Sequence, residues 1–159
     1  MKMEEKRTYQ YYIDEEGDLI FEGSPLTDQK TIHFFLKSLK PTPQKNEYLV
    51  LCQGEENIVT CADSPLVTQS LKFDLHPTKG LQKVFLCFKG DLIEELRPDT
   101  LEVGEHNILY FWVRNKQIRG RFSRKCYHQL AEFIKERDGQ FYLKFDGQLF
   151  LIKKATVLK

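Results

Sequence analysis

The sequence predicts an α+β fold, two related hairpin–helix–hairpin halves on largely antiparallel sheets. Short aromatic and β-branched runs recur between turn residues, the pattern of strands. Two stretches place apolar residues at helical spacing. The order hairpin, helix, hairpin occurs at about 9–62 and again at about 108–154. Identity between these two stretches is low, so the match rests on element order and helix register.

Residues 9–22 form two strand-like runs around Asp14-Glu-Glu-Gly17, where Gly17 supplies the positive φ that a tight turn needs. Gly23-Ser-Pro25 reads as a strand-to-helix break. Thr27 then caps a helix with Asp28 in its first turn. Ile32, Phe35, Leu36 and Leu39 give it one buried face, and Pro41 and Pro43 end it. The stretch Tyr48–Leu66 organises this half, as two strands closing on Gly54-Glu-Glu-Asn57 with a sharp exit at Ala62-Asp-Ser-Pro65. From Val67 to Asn107 the pattern predicts strands at 67–73 and 83–88, a turn at Lys89-Gly-Asp91, a further strand at 92–96, and loops. The second half opens with strands 108–113 and 117–122 around Arg114-Asn-Lys116. Ser123 caps a helix with Cys126, Tyr127, Leu130, Phe133 and Ile134 on its apolar side, which Asp138-Gly139 ends. Asp146-Gly147 then joins strands 141–145 and 148–152, a strong hairpin signal. The organisation expected is residues 1–66, a connecting region 67–107 and residues 108–159, packed as one compact unit with a seam where ligands bind.

A chain of 159 residues buries about 70% of its unfolded surface, enough to fold without staples. Its 24 basic and 23 acidic residues leave a net charge of +1, which argues against non-specific nucleic-acid binding. No apolar run approaches the ~20 residues of a membrane helix. The start, Met1 to Arg7, leads into no apolar signal segment, so a cytoplasmic location and no membrane partner are expected. Cys52, Cys61, Cys87 and Cys126 contain no C-x-x-C pair. Cys52 and Cys61 fall on neighbouring strands of one expected hairpin, which leaves a redox pair open. The plainer reading is four reduced, mostly buried thiols.

Tyr12-Ile-Asp-Glu-Glu-Gly17, Phe35-Leu-Lys-Ser-Leu-Lys-Pro41 and Cys52-x-Gly-Glu-x-Asn57 resemble a small uncharacterised bacterial family with a mitochondrial relative in animals. Phe21-Glu-Gly-Ser-Pro-Leu26, Cys61-Ala-Asp-Ser-Pro-Leu66 and Ile118 to Leu130 resemble a second bacterial family of unknown function. The second resemblance implies a duplicated fold with a pleckstrin-homology-like C-terminal half. It also implies a nucleotide-type ligand between the halves and a signalling role. One departure stands out: the acidic pair of that family is Ala62-Asp63 here.

The sharpest candidate site is the basic run Arg114, Lys116, Arg119, Arg121, Arg124 and Lys125, with no acidic residue from 114 to 125. Strand alternation puts Arg119 and Arg121 on one face. Arg124 and Lys125 open a helix where the dipole disfavours cations by ~0.3–1 kcal/mol, so a bound phosphate would relieve the placement. His128 lies four residues beyond Arg124 and shares its face. Alternatively, the run pairs internally with the acidic stretch Asp91 to Glu105. Asp63 is either a ligand contact or a turn-forming residue. Ser24, in the Gly23–Pro25 break, completes the candidate ligand set.

His33, His76, His106 and His128 show no metal-ligand spacing, so no metal and no cofactor are expected. The function read from these residues is a non-catalytic ligand-binding or signalling module for a small anionic, nucleotide-like ligand between the halves. A protein-interaction adaptor is the alternative, and an enzyme ranks third.

Overall fold

The computed structural model describes Arg7–Ala155. Residues 1–6, most of the start read for a signal segment, and residues 156–159 lie outside the described residues. Architecture is α+β. The chain divides into two compact units. One runs to Pro65 and includes Lys89–Leu92; the other comprises Leu66–Phe88 and the chain from Ile93 onward.

In the N-terminal unit, β1 (Thr8–Ile13) and β2 (Leu19–Phe21) form the expected hairpin. Asp14 Oδ1 accepts from the backbone N–H of Glu16 at 3.0 Å and of Asp18 at 2.9 Å, and Gly17 takes φ 89°. Glu22 and Gly23, both at positive φ, turn the chain so that β3 (Ser24–Pro25) pairs back onto β2. The stretch read as a break is therefore a two-residue hairpin.

Asp28, one residue after the expected Thr27, caps α1 (Gln29–Lys37) and accepts from Thr31 N at 3.2 Å. Hydrogen bonds from the Thr31 hydroxyl and N–H hold its carboxyl below the ordinary range. Ile32, Phe35 and Leu36 are buried, as the spacing predicts, and Tyr11 meets Phe35 with ring centroids 4.6 Å apart. After α1 come β4 (Lys40–Pro41), β5 (Glu47–Cys52) and β6 (Glu55–Cys61). The β5–β6 turn closes at Gln53 and Gly54, the two positions at positive φ, and not across 54–57. One sheet results, in the order β3-β2-β1-β6-β5-β4, with β1 parallel to β6.

Lys89–Leu92 belongs to this unit because it docks on α1. Gly90 N donates to Gln29 Oε1 at 3.1 Å, and Gly90 O lies 2.8 Å from His33 Nδ1. Lys89 pairs with Asp18. A Cβ at Gly90 would sit 2.5 Å from His33 N, and its φ is +73°, so only glycine fits there without strain.

Among the described residues, the C-terminal unit holds three sheets. β8 (Ser70–His76), β9 (Gly80–Cys87) and β10 (Ile93–Glu95) form one, with β9 central. The second runs β17 (Lys153–Lys154), β11 (Glu102–Val103), β12 (Leu109–Val113), β13 (Ile118–Arg121), β7 (Leu66–Val67). Residues 67–107 are thus more than a connection, since they supply strands to both of these sheets.

The expected second helix is corrected in length. α2 (Arg124–Ala131) stops early, and Phe133 N donates to Leu130 O at 2.9 Å as the chain leaves the helix. Residues read as its last turns become β14 (Ile134–Arg137), which turns through Asp138 and Gly139 into β15 (Gln140–Phe145), followed by β16 (Gln148–Leu151). These three make the third sheet. Leu81, Leu86, Leu101, Leu109, Phe111, Ile118, Leu130 and Leu143 are fully buried in this unit.

Candidate functional site

The basic run divides into cations used within the unit and cations left at its surface. The turn joining β12 to β13 holds Arg114, Asn115 and Lys116 all at positive φ. It aims Arg114 at the acidic stretch: Nε and Nη2 both reach Glu94 Oε1 at 3.0 Å, with both side chains about four-fifths buried. Glu94 lies in the acidic stretch Asp91 to Glu105, so Arg114 is one cation of the run that pairs within the unit.

On β13, Ile118 and Gly120 point inward while Arg119 and Arg121 share the other, half-buried face. The register sets Trp112 opposite Arg119 and Tyr110 opposite Arg121. Arg119 Cζ lies 4.1 Å from the centroid of the Tyr110 ring, a cation–π contact. That ring is only 6% exposed, so it serves packing and offers no stacking platform for a base.

Past β13 the chain turns sharply. Thr68 N donates to Arg121 O at 3.0 Å, and Ser123 N donates to the Thr68 hydroxyl at 2.9 Å. Ser123 Oγ caps α2 by accepting from Cys126 N at 3.3 Å, as its position predicts. Arg124 and Lys125 follow in a first turn that contains no acid. Both are exposed, and among the described residues neither pairs with a carboxylate. His128 is exposed one turn on, its ring edge-on to Tyr127 at 5.7 Å.

Arg119, Arg121, Arg124 and His128 therefore belong to one strand–helix corner of the C-terminal unit. Asp63 and Ser24 belong to the N-terminal unit. Asp63 is half-buried after β6, beside Ser64, whose buried hydroxyl finds no hydrogen-bond partner among the described residues. Ser24 is exposed on the outer strand β3, with β2 and β1 between it and β6.

Two features escaped the linear reading. Residues 108–159 carry twelve Lys and Arg against four Asp and Glu, whereas residues 1–65 carry seven against twelve. A near-neutral whole conceals that contrast; counting by segment finds it. The second feature is a concavity of about 390 Å³ on the β14–β16 sheet, lined by Lys135, Glu136, Arg137, Tyr142, Lys144 and Leu149. It depends on strand register and has no motif.

For a metal, the described residues offer one grouping: Asp14, Glu16 and Asp18, whose ligand atoms lie within 4.8 Å of one another. Lys89 already pairs with Asp18 there, and Asp14 Oδ1 is engaged by two backbone N–H groups. None of the four cysteines forms a disulfide; Cys61 and Cys126 are buried, Cys52 and Cys87 half-buried. Among the described residues, no helix is long and apolar enough to cross a membrane.

Fold and site together define an α+β protein with a strongly cationic C-terminal segment. The same fold is seen in a DUF1285 family protein from Silicibacter pomeroyi DSS-3, with a TM-score of 0.70 at 15% identity over 94% of this chain and 84% of that one. A second DUF1285 family protein, from Shewanella baltica OS155, gives 0.58 at 17% identity over 77% and 90%. No curated protein matches. The chain belongs to the family described as Domain of unknown function (DUF4505), whose model matches residues 2–121.

Proposed function

We propose that the protein is a non-catalytic binding module that takes a small phosphate-bearing, nucleotide-like ligand on its C-terminal unit, in a ligand-sensing or signalling role. Arg124, Lys125 and His128 are the contacts, with Arg119 and Arg121 as neighbouring positive charge. The observation that carries the reading is the charge contrast: residues 108–159 hold three times as many cations as anions in a chain of net charge +1. Such a field raises the local concentration of an anion. At the start of α2, the helix N-terminus and two exposed cations act in the same direction. A cytoplasmic setting accompanies this proposal and draws support from four cysteines that form no disulfide. Descent of the two hairpin–helix–hairpin segments from one duplicated unit is proposed with it, on their shared element order.

The test is a thermal-shift titration with inorganic phosphate, mononucleotides and sulfate at two salt concentrations. A ligand present at 100 times its dissociation constant adds about 2.7 kcal/mol of stability. The expected result is a shift selective for one phosphate compound that Arg124→Glu removes while the unliganded melting temperature holds. Equal affinity in wild type and variant, or no shift with any compound, overturns the proposal.

A further inference from the structure

We propose that the outer face of the β14–β15–β16 sheet docks an acidic, leucine-bearing peptide segment of a partner protein. The register pairs Lys135 with Tyr142, Lys144 with Leu149, and Tyr142 with Leu151. Directly opposed residues share a face, so these five side chains and Arg137 line one surface. Leu143 points the other way and is fully buried, so the opposite face is covered at its centre, with Phe141 at its end 49% exposed. On the outer face Lys135, Arg137 and Lys144 are exposed, and Leu149 and Leu151 keep 40% and 38% of their surface in water. The Tyr142 hydroxyl donates to Gln140 Oε1 at 2.8 Å, so the ring lies half-buried between the cations and the leucines.

Charge complementarity selects the occupant. Three cations and one carboxylate, Glu136, line the concavity. Cations crowded on neighbouring strands repel one another, and a row of carboxylates relieves that repulsion. The apolar strip of Tyr142, Leu149 and Leu151 then receives an aliphatic side chain. An RNA strand fits less well, because successive bases need several stacking rings and this face offers one. The surface is distinct from the start of α2, so this inference does not rest on the small-ligand proposal.

Fluorescence anisotropy of a labelled peptide of about a dozen residues, aspartates and glutamates interrupted by two leucines, tests it. Comparison ligands are the same peptide with serines for leucines, a single-stranded oligouridine, and anionic phospholipid vesicles. Saturable binding is expected, weakened about tenfold by Leu149→Asp and by serine replacement, and more strongly by Lys135→Glu with Lys144→Glu. Lys79→Glu, half the charge change of the double variant and placed on the β8–β9 turn, should leave it within about twofold. These positions are exposed, and unchanged thermal melts will verify folding. Absence of saturable binding, or tighter binding of RNA or vesicles than of the peptide, overturns the proposal. So does an equal loss in the Lys79→Glu protein, which would mean that only the overall field attracts the peptide.

Discussion

The segments 8–61 and 109–151 pass through the same succession of hairpin, helix and hairpin, yet they assemble different sheets. In the first, the strand that closes the segment returns beside the strand that opens it, six residues of β6 running parallel to β1. Both hairpins thereby share one sheet. In the second, the β12–β13 hairpin has no vacant edge: β11 pairs with β12, and β7 lies parallel to β13 through Gly120 opposite Leu66 and Arg121 opposite Val67. The chain leaving α2 must satisfy its backbone elsewhere, and it does so by adding β14 and forming a three-stranded sheet of its own. Element order is a local property. Sheet membership depends on which edges distant residues have already taken.

The largest test of the contrast is at the close-packed centre of the second segment. A Cβ on Gly120 would lie 2.1 Å from two ring carbons of Phe111, which is fully buried and itself packs edge-on to Phe122 at 5.0 Å. Gly120→Val should cost about 3 kcal/mol in chemical denaturation, because the ring cannot yield without displacing its neighbours. In the first segment, Gly23 has open space where a Cβ would go, and Gly23→Ala should cost only the left-handed backbone penalty of about 1 kcal/mol. Equal losses at the two sites would remove the claim that Gly120 is held by packing.

A smaller effect tests why α2 stops. Gly139 has φ +79° with nothing near its missing Cβ. Gly139→Ala should therefore cost about 1 kcal/mol through the turn alone. Hydrogen exchange should show weakened protection in Ile134–Arg137 and none lost in Arg124–Ala131. Stronger protection across 132–137 with a deeper helical signal would mean that the turn suppresses a longer helix.

That competition also shows how far sequence carries. Strand existence, the α1 face of Ile32, Phe35 and Leu36, the Ser123 cap and the Asp146-Gly147 turn were legible because each is fixed within a few residues. The length of α2 was not. Cys126, Tyr127, Leu130, Phe133 and Ile134 keep helical spacing past the point where the helix ends, and Asp138-Gly139 suits a helix stop as well as a hairpin turn. Pairing with β15 decided between them. At the basic run, spacing grouped Arg119 with Arg121 and Arg124 with His128. The engagement of Arg114 by Glu94 and of Arg119 by Tyr110 needed the tertiary structure, since a contact twenty residues away leaves no local trace. The concavity of Lys135, Arg137 and Lys144 arises only after the helix reading of residues 134–137 is replaced by a strand.

The finest distinction between the segments lies in their helix caps, a carboxylate on α1 and a hydroxyl on α2. Thr31 donates to Asp28 through both its hydroxyl and its N–H, and the carboxyl titrates below its ordinary range. A carboxyl whose folded value is depressed adds stability above its unfolded value, near 3.9, and loses it as pH falls through the folded value. Asp28→Ala should therefore lower the melting temperature at pH 7, and the difference should shrink progressively as pH falls below about 3.9. Ser123→Ala removes a cap that does not titrate over this range, so its smaller loss should be nearly constant with pH. Melting both variants beside the wild type across that interval separates the two. Parallel curves for Asp28→Ala and Ser123→Ala would show that Asp28 acts as a neutral acceptor, with its charge contributing nothing to α1.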